Sequence, residues 1–192
     1  MNKLFHNRVN LREYTTEIRK AHCEACAKGE CAKAGTFHGK AVPVTDAGFM
    51  NKLRAFLGFP VMVLKTHNLI TNVGHAAANG RMSNQGAYSP FVNIAIGIGV
   101  AAASASDTTL GSEITTNGGQ RGAATATQVT TSVTNDTTQL VKTFTFTGTF
   151  AVTEEGILDN ATSGGSLLAR QVFSAINVIS GDAIQFTHKY QT

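Results

Sequence analysis

Residues 142–173 read KTFTFTGTFAVTEEGILDNATSGGSLLARQVF, and this stretch decides the fold class. Its first half alternates between large apolar residues and threonines: Phe144, Phe146, Phe150 and Val152 against Thr143, Thr145, Thr147 and Thr149. Alternation with a period of two is typical of a β-strand with one buried face and one wet face. We therefore expect a strand through Val152, a turn at Glu154–Gly156, a second turn at Ser163–Gly165 and a second strand over Leu167–Phe173.

Short apolar or alternating runs, separated by Gly and Asn turns, fill the rest of the chain after residue 60. They predict further strands at Val61–Leu69, Phe91–Gly99, Thr125–Thr134, Ala175–Ile179 and Ala183–Tyr190. Asn135-Asp136 is expected to join the Thr125–Thr134 strand to the next one as a hairpin. A short helix is expected from Ile70 to Asn79-Gly80. This succession predicts a mainly β fold, an antiparallel β-sandwich or jelly-roll-like body.

The composition agrees with a folded, β-rich chain. Of 192 residues, 42% are hydrophobic and only 15% are charged, whereas about a quarter is usual. Basic residues are concentrated at the start: through His67 there are eleven Lys and Arg against five Asp and Glu. Acidic residues are interleaved there, which favours a solvated or protein-docking face over a nucleic-acid site.

The first 60 residues are expected to form an N-terminal docking arm of helices and a cysteine loop, and residues 61–192 the β-sandwich domain. Leu11, Tyr14 and Ile18 recur at helical spacing and predict a helix over Asn10–Lys20. A second apolar stripe predicts a helix over Asp46–Leu57, ended by Gly58 and Pro60.

All three cysteines of the chain lie between these two predicted helices. Cys23, Cys26, Cys31 and His38 have the number and kinds of ligand that a structural zinc ion needs, with His22 as a competing ligand. Two other interpretations stay open: a disulfide within the chain or to a neighbouring subunit, and reduced cysteines without a metal.

Signals for catalysis or nucleotide binding are weak. Gly97-Ile98-Gly99 begins a G-x-G-x-x-A pattern after a predicted strand, but no helix or αβ alternation is predicted to follow, as a dinucleotide site requires. Adjacent carboxylates at Glu154 and Glu155 would face opposite sides of an extended strand and could not act as an acid–base pair. We expect no enzymatic activity. The start of the chain lacks a signal-peptide pattern and no apolar run is long enough to span a bilayer, so folding in a cytoplasm is expected.

A set of stretches from residue 67 onward resembles a family of small, β-rich bacteriophage virion proteins that are tail-fibre-like or head-decoration-like. The stretches are HNLITNVG (67–74), FVNIAIGIG (91–99), SDTTLGSEI (106–114), GGQRGAATAT (118–127), FTGTFAVTEEGIL (146–158), GGSLLARQVF (164–173) and INVISGDAIQFTHKY (176–190). The resemblance implies fold-defining, non-catalytic positions at Glu154, Glu155, Gly156, Ile157, Leu168, Ala169 and Arg170.

The resemblance implies a non-enzymatic virion protein, made in the host cytoplasm. Because the chain is short and has no shaft, we expect a capsid decoration or cement protein that binds capsid or tail proteins as a homo-oligomer, a trimer or ring. A tail, baseplate or fibre-adaptor protein is the alternative. A zinc-dependent nucleic-acid-binding module, built on the cysteine loop with Lys28, Lys33 and Lys40, is a lesser one, and so is a carbohydrate-binding or hydrolytic domain.

Overall fold

A computed structural model describes residues 12–21, 62–86 and 88–191 of the chain. In this part, ten strands form two five-stranded antiparallel sheets, and one helix, α1, spans Asn72–Met82. The strands are β1 (Arg12–Ala21), β2 (Met62–His67), β3 (Leu69–Ile70), β4 (Asn93–Gly97), β5 (Gly122–Ala123), β6 (Thr125–Val129), β7 (Thr137–Thr145), β8 (Phe150–Leu158), β9 (Leu167–Val178) and β10 (Ala183–Gln191). The predicted mainly β, antiparallel sandwich is confirmed.

The strands are ordered β2-β1-β10-β7-β6 in one sheet, here called sheet A, and β3-β9-β8-β4-β5 in the other, sheet B. At both edges the chain crosses from one sheet to the other. One crossing is at Asn68, between β2 and β3, and the other is at Ala124, between β5 and β6. At each of these crossings a single residue separates the two strands, so the chain joins the two sheets at both edges.

The apolar core lies between the two sheets. Its largest fully buried side chains are contributed by both sheets: Ile18, Leu140, Phe144, Phe146, Ile184 and Phe186 on one side, and Ile94, Ile96, Ile157 and Ile176 on the other. Phe144 and Phe186 meet edge to face, with ring centroids 5.8 Å apart, an arrangement that the ring quadrupoles favour.

The predicted helix over Asn10–Lys20 is wrong, because this segment contains β1. β1 pairs with β10 on one side and β2 on the other, and so lies inside sheet A. Thr16 and Ile18 are buried while Glu17 and Arg19 are half-buried, which is the two-residue period of a strand. Pairing on both sides outweighed a weak local helical pattern. The cysteine loop and the predicted helix over Asp46–Leu57 lie outside the described residues.

The Phe/Thr alternation belongs to two strands, not to one. β7 ends at Thr145 in sheet A, residues 146–149 turn, and β8 begins at Phe150 in sheet B. Phe146 is buried in the core at the turn. β7 and β8 both face the core between the two sheets, so the alternation of apolar and polar residues continues from one strand into the next. The pattern alone therefore could not show where β7 ends and β8 begins.

Two further predictions around β8 and β9 are corrected. The expected turn at Glu154–Gly156 lies within β8, where all three residues are buried. The two expected strands Leu167–Phe173 and Ala175–Ile179 are one strand, β9, which pairs with β8 along its length with register shifts. The Ser163–Gly165 turn and the hairpin between β6 and β7 are confirmed.

Part of the outer face of sheet B is covered. The loop of residues 98–121 folds over it, and a second small cluster of buried apolar residues lies beneath this loop: Ala95, Leu110, Leu158 and Leu167. Helix α1 packs beside β9 of this sheet. The amide of Thr71, which precedes the helix, donates a hydrogen bond to the Leu168 carbonyl at 3.0 Å. Thr71 also caps the helix, accepting a hydrogen bond from the Gly74 amide.

Candidate functional site

The outer face of sheet A carries many solvent-exposed polar and charged side chains, and we treat it as the candidate functional site. The strand register places neighbouring side chains in three rows that cross the sheet. The described members of this face are Glu17, Arg19, Lys65, His67, Thr125, Thr127, Gln139, Val141, Thr143, Gln185, Thr187 and Lys189. A groove of about 470 Å³ runs across it, lined from β1, β2, β7 and β10.

The charge in this groove is predominantly positive. Its lining contains Arg19, Lys65 and Lys189 against the single carboxylate of Glu17. Arg19 Nε lies 2.5 Å from Glu17 Oε1, and Lys65 Nζ lies 3.7 Å from Glu17 Oε2. The Lys65 side chain remains 78% exposed, so the shared carboxylate neutralises the lysine only in part.

The same asymmetry holds across the described side chains. Three of the described charged side chains are exposed to solvent, and all three are cations: Lys65, Arg81 and Lys189. Every carboxylate whose side chain the structure describes is buried or half-buried, and each contacts a hydrogen-bond donor or a cation of the chain itself. The exposed charge is therefore positive, because these carboxylates already form hydrogen bonds or ion pairs within the protein.

The most extensive ionic contacts fasten the 98–121 loop to sheet B. Glu154, fully buried on β8, accepts hydrogen bonds from the backbone amides of Gly99 (2.9 Å), Gly111 (2.9 Å) and Ser112 (2.7 Å). Arg170 of β9 donates to the same carboxylate from Nε at 2.9 Å and from Nη2 at 2.8 Å. Charge-assisted bonds of this kind are shorter and stronger than neutral ones.

Arg170 extends the network to a third residue. Its Nη1 donates to Asp107 Oδ2 at 2.7 Å and its Nη2 to the Ala101 carbonyl at 3.1 Å. Asp107 also accepts from the Ser104 amide. We call Asp107, Glu154 and Arg170 the loop clamp, because together they hold both halves of the covering loop.

The loop clamp shifts the ionisation of its members. Burial opposes the charged form of Glu154, but the Ser112, Gly111 and Gly99 amides and Arg170 outweigh it, and the pKa of Glu154 is lowered. The pKa of Asp107 is lowered in the same way: burial opposes its charge, and Ser104 and Arg170 prevail. Burial also opposes the charge of Arg170, yet Asp107 and Glu154 raise the pKa of its guanidinium.

The glycines of the G-x-G-x-x-A pattern approach this carboxylate. Gly97 ends β4 and Gly99 begins the covering loop without a helix. A Cβ atom at Gly97 would lie 2.5 Å from Glu154 Oε1, and one at Gly99 would lie 2.7 Å from Glu154 Cδ. The glycines thus let backbone amides reach a carboxylate of the chain itself, an anion that occupies the place a phosphate would take in a nucleotide site.

A second polar network lies between the sheets, and few features of the sequence indicate it. On β8, Glu155 points to the opposite side from Glu154, as adjacent strand residues do, and its Oε2 lies 3.0 Å from His188 Nε2. Thr16 Oγ1 lies 2.9 Å from His188 Nδ1. Asn68 contacts both Thr16 (2.7 Å) and Glu155 (2.8 Å).

A hydroxyl, an imidazole and a carboxylate in a row are the groups of a nucleophile activated by a base. Here Thr16 and Glu155 are 0% exposed and His188 is 1% exposed. A substrate cannot reach the Thr16 hydroxyl in this structure, so the arrangement links the two sheets. The one signal of it in the sequence is His188, which takes an inward position in the alternation of β10 between Phe186 and Tyr190.

The predicted metal ligands Cys23, Cys26, Cys31 and His38, and the competing His22, lie outside the described residues, so structural zinc stays a prediction. Within the described ranges, no group of three or more His, Cys, Asp or Glu side chains is arranged to hold a metal ion. Of the positions that the resemblance marked as fold-defining, Glu154 and Arg170 come together in the loop clamp. The sequence analysis assigned no role to Asp107, the third member of the loop clamp.

Comparison with known proteins found no matching family model, no matching curated protein and no matching solved structure. In the described part of the chain, α1 is too short and too polar to cross a membrane.

Proposed function

We propose that this chain is a non-enzymatic structural protein of a bacteriophage particle, most specifically a capsid decoration protein that docks through the outer face of sheet A. The observation that carries the docking surface is the charge asymmetry described above. Lys65 and Lys189 are exposed on that face, whereas the carboxylates whose side chains are described form hydrogen bonds or ion pairs within the protein. An acidic face on a capsid protein is the complementary partner.

Two further features support a structural role. The loop clamp and the inter-sheet network bury their ionisable groups, which fits a body that must keep its shape in many copies. The wet face is rich in Thr and Gln, whose short or neutral side chains pack against another protein surface at little desolvation cost. The phage setting itself rests on the resemblance of the stretches from residue 67 onward, and it carries with it production in the host cytoplasm and residence in the virion.

The test uses particles produced from the genome that encodes the chain. Mass spectrometry of purified particles, separated into heads and tails, should find the protein in heads. Its absence from particles would overturn the proposed function, and its presence in tails would move it to the tail, baseplate or adaptor class. Native mass spectrometry of the purified protein tests the expected trimer or ring and, with and without chelator, the zinc prediction.

The docking face is tested separately by adding purified protein back to particles that lack it. We expect Lys65→Glu/Lys189→Glu to lose co-sedimentation with the particles, because both changes place negative charge against an acidic partner. Arg81→Glu is the matched control, since it reverses an exposed charge on α1 and should bind as wild type does. If the double variant binds normally, the protein docks by another face. Binding of naked DNA that disappears in the double variant would instead identify a nucleic-acid surface.

A further inference from the structure

A threonine and a glutamine from different sheets contact each other close to the crossing at Asn68. Thr66, half-buried on β2 of sheet A, donates a hydrogen bond from Oγ1 to Oε1 of Gln171 on β9 of sheet B. Oε1 is bonded directly to Cδ, the carbon of the carboxamide that a hydroxyl oxygen can attack. A nucleophile and an acyl group of the same chain therefore lie side by side.

The amide nitrogen of Gln171 has no hydrogen-bond partner. The residue is 3% exposed, and its Nε2 is buried without a hydrogen bond to any group in the described part of the chain. A buried donor of this kind costs free energy, and folded proteins seldom keep one without a reason. Loss of this nitrogen from the side chain would remove the unpaired donor.

An ionisable pair lies at the neighbouring register positions of both sheets. Glu155 is directly opposite Gln171 in the pairing of β8 with β9. On sheet A, Thr66, Thr16 and His188 are successive cross-strand neighbours. The two rows face each other, since Glu155 Oε2 lies 3.0 Å from His188 Nε2. A carboxyl group beside an imidazole can take up a proton and release it again, which is the role of a general acid and base.

We propose that Thr66 and Gln171 form an ester cross-link between the two sheets, in a single reaction of the folded chain with itself. The Thr66 oxygen bonds to Gln171 Cδ, and the bond from Cδ to Nε2 breaks with its electron pair passing to the nitrogen. The hydroxyl proton passes through the Glu155–His188 pair to this nitrogen, which leaves as ammonia. One hydroxyl and one carboxamide thus become one ester and one ammonia, without an oxidant or a reductant.

The fold supplies what this reaction requires. A carboxamide resists attack by a free hydroxyl in water, but well-oriented groups held in contact reach effective molarities of about 10⁵–10⁸ M. Burial of the carboxamide keeps water from competing with the hydroxyl and from hydrolysing the ester afterwards. The released ammonia is diluted into the solvent, which opposes the reverse reaction. The link would join an edge strand of sheet A to β9 across 105 positions of the chain.

The test is the intact mass of the purified full-length protein, measured after denaturation and reduction. We expect a mass lower than that of the unmodified chain by one ammonia, and a peptide map in which the β2 and β9 peptides are joined through Thr66 and Gln171. Mild hydroxylamine treatment, which cleaves esters and leaves amide cross-links intact, should separate the two peptides. An unmodified mass would overturn the proposal, and so would a link that resists hydroxylamine.

Two substitutions at one position separate the chemistry from the packing. Thr66→Val removes the hydroxyl at nearly the same volume, so this variant should have the unmodified mass and no joined peptides. Thr66→Ser restores a hydroxyl and should restore the link. A joined peptide in Thr66→Val would overturn the proposal, because another group would then be the nucleophile. A link that forms as fully in Glu155→Gln as in wild type would overturn the role of the Glu155–His188 pair in proton transfer.

Discussion

At the scale of single residues, two adjacent glutamates have separate structural roles. Glu154 and Glu155 follow each other on β8, so their side chains leave the strand on opposite faces. Glu154 binds the covering loop through backbone amides and Arg170, and Glu155 faces His188 across the core. Each carboxylate is fully buried, which is tolerable only because each meets donors or a cation.

Removal of Arg170 should be strongly destabilising. In Arg170→Ala, Glu154 keeps its amide donors but loses its buried cation, and Asp107 loses its partner as well. Breaking a buried pair in this way costs about 3–5 kcal/mol. Urea unfolding measures the effect, and Lys189→Ala, an exposed change, should stay within about 0.5 kcal/mol of wild type. Equal stabilities of the two variants would contradict a structural role of the clamp.

Asp136 should contribute to stability on the acidic side. Its carboxylate accepts from the amides of Val133, Thr131 and Ser132 and from the Thr137 hydroxyl, and these bonds lower its pKa. Because the folded pKa is the lower one, the stabilisation is complete above the unfolded value of about 4 and is lost as pH falls through the folded value.

The test compares wild type with Asp136→Asn. The asparagine variant should be less stable at neutral pH and should lose less stability on acidification below about pH 4. Amide hydrogen exchange should also become faster at Thr131, Ser132 and Val133. If both proteins lose stability in parallel on acidification, Asp136 does not carry this dependence.

At the scale of elements, the covering loop and β1 show how distant partners decide local structure. The loop of residues 98–121 has no helix or long strand of its own, and its position follows from its contacts with β8 and β9. β1 has an apolar spacing that favours a helix, but β2 and β10 pair with it on both sides. In both cases the deciding contacts are far away along the chain.

A side chain at Gly99 should displace the covering loop. In Gly99→Ala the new Cβ would overlap the Glu154 carboxylate, and overpacking of this kind costs about 1–3 kcal/mol. Gly122→Ala is the matched control, because its Cβ would meet only the flexible end of Lys142, 3.1 Å from Nζ. Denaturant unfolding should rank Gly99→Ala as the less stable variant, and the reverse order would contradict the close approach.

Ile18 should behave as a core residue, which an arm helix would not require. It is 1% exposed and belongs to the main core, so Ile18→Ala should cost about 2–5 kcal/mol. Arg19→Ala, on the outer face of the same strand, should cost much less. A small effect of Ile18→Ala in thermal or urea unfolding would mean that β1 is not a part of the sandwich.

At the scale of the whole molecule, the two sheets share one apolar core. The chain crosses between them at Asn68, at Ala124, between β7 and β8, and between β9 and β10, and the inter-sheet network joins them through the core. The outer face of sheet B is covered in part by the loop of residues 98–121, whereas the outer face of sheet A is wet. This leaves the positive face of sheet A as the surface on which we base the docking proposal.

Deletion of residues 1–21 should unfold the body rather than release an independent domain. Without β1, β2 loses its partner in sheet A and β10 loses one of its two. We expect the shortened chain to lose its β-sheet circular dichroism signal and the full chain to unfold in a single transition, the same by circular dichroism and by tyrosine fluorescence. A folded, cooperative shortened chain would support a separate N-terminal arm.

The sequence by itself determined the fold class and several turns. Alternating Phe and Thr residues, and Gly or Asn at turns, depend on local geometry: side chains alternate along a strand, and Asn135 and Gly165 adopt positive φ angles. These signals predicted the antiparallel sandwich and the hairpin between β6 and β7. His188 shares the alternation of Phe186 and Tyr190 in β10, and all three side chains are buried.

Only the tertiary structure decided which strands share a sheet and which polar groups meet. Thr16 and His188 are 172 positions apart, and Asp107 and Arg170 are 63 apart, so no local pattern marks them as partners. The crossing between β7 and β8 leaves the alternation intact because both strands face one core. Distant contacts also decided that β1 is a strand. Its hydrogen bonds to two distant strands outweigh a local helix preference that is worth little per residue.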